Sequence, residues 1–210
     1  MKRELSFCNF VSRDIIADGL LIAAALFIIE QVSFMLSFEA GAGVLFSSSL
    51  DAAGFSVFFA GALVFAAYDL VLCILRRFVG SKSIYGLYMM PVPKPLLFFT
   101  WFISGVIVIM MIILARHLSV FCAHLQYVAM TEQLISERLA AGLETVVKVE
   151  NGALFTAYLR CDHLRMFLPF DFESGALLFF MIFSLPALSI RFALSIPAKK
   201  LPLSIILAIM

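Results

Sequence analysis

Residues 96–115 read LLFFTWFISGVIVIMMIILA and contain no charged side chain. About 20 apolar residues in a helix are enough to cross the hydrocarbon core of a bilayer, where the helix satisfies its own backbone hydrogen bonds. Three other mostly apolar segments have comparable length, at 15–38, 52–75 and 175–196. These four spans predict an all-α, polytopic helical membrane protein.

The overall composition supports the same conclusion. Of 210 residues, 63% are hydrophobic and only 14% are charged, whereas about 25% are charged in soluble domains. The mean hydropathy is +1.08. A soluble monomer could not hide that much apolar surface, so the composition excludes a soluble enzyme and a disordered chain. The formal net charge of +1 provides no field that would attract nucleic acid.

The positions of Lys and Arg predict the orientation. The proposed inner segments, 1–14, 76–95 and 191–200, contain ten of these residues, and the longer proposed outer segments, 38–51 and 116–172, contain five. Because basic residues collect on the cytoplasmic side, we expect a cytoplasmic N-terminus and a multi-pass protein of the cell (inner or plasma) membrane.

We expect residues 1–210 to form a single transmembrane domain with a helical outer region at 116–172. An apolar stripe from Leu118 to Leu139 predicts that the third span continues outward as an amphipathic helix ending near Gly142. A second outer helix is expected over 153–168. The apolar run at 201–210 is half a span, so it is read as a C-terminal stub.

Small residues in the second span predict a face that packs on protein, either within the chain or in a homo- or hetero-oligomer, because close backbone approach drives helix association in lipid. The Phe residues of this span are expected to meet lipid. The small residues are Ala53, Ser56, Ala60, Ala62, Ala66 and Ala67, and the aromatic ones are Phe55, Phe58, Phe59 and Phe65.

Two acidic residues, Glu30 and Asp69, lie inside predicted spans. An intramembrane carboxylate is costly, so each is a candidate substrate-path residue. The structural alternative also stays open. Asp69 lies seven residues before Arg76 on the same helical face and could reach it, and Glu30 could be protonated or contact a polar neighbour.

The chain offers little for catalysis or metal binding. The predicted spans lack paired acids with histidines and a Ser beside a base, and the chain has no H-E-x-x-H motif. The pairs Cys122/His124 and Cys161/His163 have suitable zinc-ligand types, but residues two apart on a helix point in different directions. We therefore expect no enzyme activity, cofactor or metal site. A disulfide between Cys122 and Cys161 stays open.

The inner loop reads SKSIYGLYMMPVPK over residues 81–94. Its first ten residues can form a short basic amphipathic helix, which the following prolines terminate. Such a helix either docks a partner or lies in the lipid headgroups. The expected docking residues are Ser81, Lys82, Ser83, Ile84, Tyr85, Leu87, Tyr88, Met89 and Met90.

This loop resembles the coupling segment of permease subunits of ABC exporters, in the six-span export family and its Gram-positive peptide or antibiotic branch. The recurring form there is a Lys-Ser-Ile-Tyr-like stretch, an apolar pair, Pro-Val and a basic residue. A second stretch, 153–169, is similar to the segment before the fourth span of such proteins. The resemblance covers about 30 residues and the order of the spans, but the family has six spans where this chain has four and a stub.

The resemblance implies a pore subunit energised by a separate ABC ATPase subunit that docks on residues 81–90. The sequence agrees in one respect, because it contains no G-x-x-x-x-G-K-[ST] run and should not hydrolyse ATP itself. The alternative is a non-transporting membrane immunity, assembly or sensor protein that binds another membrane complex. A secondary carrier is a third reading, although the chain shows no internal repeat.

Overall fold

The computed structural model describes residues 2–38, 45–79, 94–142, 152–167 and 172–195. Within these ranges all regular structure is helical, so the predicted all-α fold is confirmed there. The helices are α1 (Lys2–Ser37), α2 (Phe46–Ala52), α3 (Phe55–Val79), α4 (Lys94–Ala140), α5 (Ala153–Arg160), α6 (Asp162–Arg165) and α7 (Phe172–Ser195).

Four of these helices are long and apolar enough to cross a membrane, at Ser12–Ser37, Phe55–Arg76, Pro95–Ala140 and Phe172–Ala193. Only 22% to 39% of the most apolar window of each helix is buried inside the protein. The remaining apolar surface needs a nonaqueous environment. The chain is therefore a helical membrane protein.

The chain divides into two compact units, and each long helix contributes to both. The first unit contains residues 1–21, 63–110 and 180–210, and the second contains 22–62 and 111–179.

In the first unit, two glycines allow helices to approach closely. A Cβ at Gly19 of α1 would overlap the side chain of Val108 on α4. A Cβ at Gly105 of α4 would lie 2.9 Å from Cβ of Pro186 on α7 and 3.0 Å from Cδ2 of Leu70 on α3. Close backbone contact at small residues is the usual basis of helix packing in lipid.

The second unit has an aromatic core between α1, α2, α3 and α4. The Phe34 ring lies 6.1 Å from Phe46 and 6.2 Å from Phe55, both edge-on, and Phe46 also contacts Tyr127. The three Phe side chains are fully buried. Edge-to-face aromatic pairs add about 0.5–1.5 kcal/mol each to the free energy of area burial.

Several element boundaries differ from the sequence-based expectation. Helix α1 begins at Lys2, before the predicted span at 15–38. Helix α2 lies in the expected loop at 38–51 except for its last residue, Ala52. Ser48 and Ser49 of α2 donate hydrogen bonds to the carbonyl of Leu45. The predicted outward continuation of the third span is confirmed, since α4 is continuous to Ala140 and Gly142 follows with a φ of +71°.

The single outer helix expected at 153–168 is wrong, because this segment forms two short helices. Cys161 has extended backbone angles, φ −81° and ψ +114°, and separates α5 from α6. Cys161 ends α5 through its N–H, which bonds to the carbonyl of Ala157, and it starts α6 by accepting from the N–H groups of Leu164 and Arg165. Residue 168 lies outside the described residues.

The predicted faces of the second span, helix α3, are confirmed only in part. Ala66 is buried and Phe65 is 58% exposed, as expected, but Phe55 and Phe59 are buried and Ala60 is exposed. On α4, the stripe that begins at Leu118 is mostly exposed, with Leu118 itself 53% exposed. Both helices contain apolar residues on several faces, and lipid accepts apolar side chains as readily as a protein core does. Polarity alone therefore does not identify the buried face.

Candidate functional site

A buried ion pair lies in the second unit. Nη1 of Arg116 on α4 is 2.5 Å from Oε1 of Glu30 on α1, and neither side chain has any exposed surface. The same nitrogen donates a hydrogen bond of 3.1 Å to the carbonyl oxygen of Phe55. Full burial makes each charge expensive by itself, so the two residues depend on each other.

Two aromatic rings also face the guanidinium group, whose Nε and Nη2 atoms are buried without a hydrogen-bond partner among the described residues. Cζ of Arg116 lies 4.9 Å from the ring centroid of Phe55 and 5.7 Å from that of Phe59. A cation over an aromatic face gains about 2 kcal/mol where the site is dry. The burial of Phe55 and Phe59 therefore has an electrostatic reason, which the sequence pattern of α3 does not reveal.

A chain of amides continues from the ion pair. Gln31, next to Glu30 on α1, donates through Nε2 to the backbone oxygen of Ser119 at 2.9 Å and to its Oγ at 2.8 Å. Gln126 of α4 donates in turn to Oε1 of Gln31 at 3.0 Å. These bonds fix the register of α1 against α4, because each one has a defined donor and acceptor.

Arg116 is the main residue of this site that the sequence prediction missed, since it was assigned to the outer loop. The buried face of α4 runs through Ile112, Arg116, Ser119, Ala123 and Tyr127. Its steps of three and four are helical, and polar or small residues mark it. A search for polar and small residues at helical spacing, rather than apolar ones, would have found this face.

A second polar cluster lies beside the ion pair, at Asp51, Cys161 and His163. Nδ1 of His163 is 3.6 Å from Oδ1 of Asp51, and Sγ of Cys161 is 3.8 Å from the carbonyl oxygen of Ser47, to which it donates. Burial and the nearby Arg116 cation lower the pKa of His163 to about 4. Burial raises the pKa of the Cys161 thiol to about 11. The imidazole is thus neutral near pH 7.

His117 and Cys122 do not join this cluster. The ring of His117 packs on Tyr158 and Phe167, at centroid distances of 5.8 Å and 4.8 Å. Cys122 and Cys161 are both free thiols, so the disulfide that the sequence left open is not formed in this structure.

In the first unit, Asp69 lies with Asp18 and Cys73. The Cys73 thiol is 3.7 Å from Oδ2 of Asp18 and 3.8 Å from Oδ2 of Asp69, so its one proton can be donated to either carboxylate. Asp69 is half-buried and also lines a small cavity with Gly105 and Pro186. The two candidate substrate-path residues, Glu30 and Asp69, therefore belong to different units and have different partners.

The expected docking residues, 81–90, lie outside the described residues. The structure does give the elements that flank them, since α3 ends at Val79 and α4 begins at Lys94.

The comparisons with known proteins yield no relative. No protein-family model matches the chain, and no curated protein and no solved structure matches it either.

Proposed function

We propose that this helical membrane protein is the permease subunit of an ATP-driven, ABC-type exporter. The observation that carries the proposal is the segment at 81–94, which resembles the coupling segment of such permeases. It connects the two long apolar helices α3 and α4, as the family's segment connects two spans. The ATPase is a separate polypeptide in this proposal, because the chain has no P-loop sequence.

The orientation follows from the basic residues at this connection. Arg76 and Arg77 lie in the last turns of α3, and Lys94 begins α4. An excess of Lys and Arg is typical of cytoplasmic loops. Residues 81–90 would then face the compartment that contains ATP, with the N-terminus on the same side of the cell membrane.

The helices adjoining the docking segment also fit a mechanical role. α4 is one uninterrupted helix from Lys94 to Ala140, and the ion pair to Glu30 fastens it to α1. In this proposal, movement at the docking segment would pass along α4. In this scheme Glu30 and Asp69 stay the predicted substrate-path residues, and Asp69 is the more accessible of the two.

The test is purification of the tagged chain in mild detergent from cells that express it, with any co-eluting protein that carries a P-loop identified by mass spectrometry. We expect the ATPase to elute with the wild-type chain, and Lys82→Glu and Tyr85→Ala to reduce the bound ATPase at least about 10-fold, as loss of a central interface contact does. Arg165→Glu, an exposed charge reversal in the outer region, is the matched control and should retain the ATPase.

Wild-type binding by both inner-loop variants would contradict the docking assignment. The alternative function has its own structural support, because Phe155 and Leu159 on α5 are exposed apolar residues in the outer region. This alternative predicts that the chain elutes with a membrane complex that lacks an ATPase. If Phe155→Ser loses that complex and Lys82→Glu retains it, the result favours the immunity, assembly or sensor protein.

A further inference from the structure

Three metal-ligating side chains meet at one point of the second unit. Asp51 lies in the last turn of α2, Cys161 lies between α5 and α6, and His163 is the second residue of α6. One carboxylate oxygen, the thiol sulfur and one imidazole nitrogen all lie within 4.8 Å of one another. We propose that this outer triad, Asp51, Cys161 and His163, binds a divalent transition metal ion of the zinc type.

The break between α5 and α6 makes the convergence possible. On a single helix, Cys161 and His163 would point about 200° apart. This one-helix geometry is wrong for the pair, because Cys161 has extended backbone angles. It holds for Cys122 and His124, which both lie within the continuous helix α4.

The ligand types select the metal. Zinc accepts thiolate, imidazole and carboxylate ligands, with metal bonds of about 2.0–2.3 Å, whereas magnesium and calcium prefer oxygen alone. Two nitrogen or oxygen ligands of a tetrahedral zinc ion are about 3.3 Å apart at those bond lengths. The observed 3.6 Å between Nδ1 of His163 and Oδ1 of Asp51 is close to that separation. Small side-chain rotations would bring all three groups to bonding distance.

The surroundings of the outer triad also favour a ligand. Cys161 is only 2% exposed. By contrast, the side chain of Asp51 is 61% exposed, so an ion can enter from the Asp51 side and keep a fourth position for water.

The charges balance when the ion is bound. Arg116 lies close enough to influence both Cys161 and His163, and an unpaired cation there would repel a metal. Glu30 neutralises it directly. Zinc binding converts the Cys161 thiol to a thiolate and releases one proton. The carboxylate of Asp51 and that thiolate then offset the two charges of the ion.

The test uses the full chain purified in detergent, stripped with a chelator and reloaded with Zn²⁺ or Co²⁺. We expect about one ion per chain after desalting, measured by elemental analysis, and a thiolate-to-cobalt charge-transfer band in the cobalt form. Cys161→Ser and His163→Gln should each weaken binding at least about 10-fold. Cys122→Ser and His124→Gln, which change the same residue types on α4, should bind as the wild type does.

Two outcomes overturn the proposal. In the first, the wild-type chain retains no stoichiometric metal and shows no charge-transfer band; this outcome does not depend on any variant. The other is retention of the band in Cys161→Ser together with its loss in Cys122→Ser. Helix content measured by circular dichroism shows whether each variant is folded. Asp51→Asn is a third substitution that should weaken metal binding without unfolding the chain, because the Asp51 side chain is largely exposed.

Discussion

Breaking the ion pair between Glu30 and Arg116 should destabilise the protein in a way that depends on which partner is removed. The two side chains are fully buried and 2.5 Å apart. At that separation the Coulomb attraction is about 7 kcal/mol for an effective dielectric constant of about 20. Most of it offsets the desolvation of the two charges, so loss of one partner is expected to cost about 3–5 kcal/mol.

The two single variants should differ in their response to pH. In Arg116→Met the remaining carboxyl group of Glu30 can take up a proton. For an ordinary Glu, protonation at pH 7 costs about 4 kcal/mol of free energy, and this cost falls by about 1.4 kcal/mol for each pH unit of acidification. In Glu30→Gln the guanidinium group stays charged at every usable pH. Acidification from pH 7 to pH 5.5 should therefore recover about 2 kcal/mol in Arg116→Met and nothing in Glu30→Gln.

The assay is unfolding in mixed micelles by titration with a denaturing detergent, followed by circular dichroism at both pH values. The double variant Glu30→Gln/Arg116→Met removes both charges and should be more stable than Glu30→Gln alone. Arg13→Met, at an exposed position of α1, is the control and should change the free energy of unfolding by less than about 0.5 kcal/mol. Additive effects of the two single substitutions, or an identical pH response in both, would refute the reasoning.

Two other substitutions test the packing of each unit. Gly19→Ala should destabilise the first unit by about 1–3 kcal/mol, because the new methyl group overlaps Val108. Gly61→Ala is the control and should be neutral or slightly stabilising, because no atom lies within 4 Å of its added Cβ. Equal effects of the two substitutions would contradict the close approach of α1 and α4 at Gly19. Phe46→Ala should cost about 3–5 kcal/mol in the same unfolding assay, because the ring is fully buried. Phe179 is 65% exposed, so Phe179→Ala should lower the free energy of unfolding far less. A larger loss in Phe179→Ala than in Phe46→Ala would show that the wrong faces are assigned as buried.

The sequence is sufficient to predict which segments are helices, but it does not predict which face of each helix is buried. In lipid, a single segment of about 20 apolar residues such as 96–115 satisfies its own backbone polar groups as a helix, so its length and composition specify its secondary structure. Gly142, with its positive φ, was also recognisable as the end of α4. The buried faces of α3 and α4 were not recognisable, because lipid and protein interior are equally apolar and a hydrophobic stripe does not distinguish them.

Tertiary structure alone decided the polar sites. Glu30 and Arg116 are 86 positions apart, and no periodicity relates them, so the partner of the intramembrane acid emerges only when α1 packs on α4. The convergence of Asp51 with Cys161 and His163 likewise depends on a helix break that the apolar pattern of residues 153–168 conceals. Local chain length and hydropathy determine which segments are helical in a membrane, whereas long-range packing determines which charges those helices bring together.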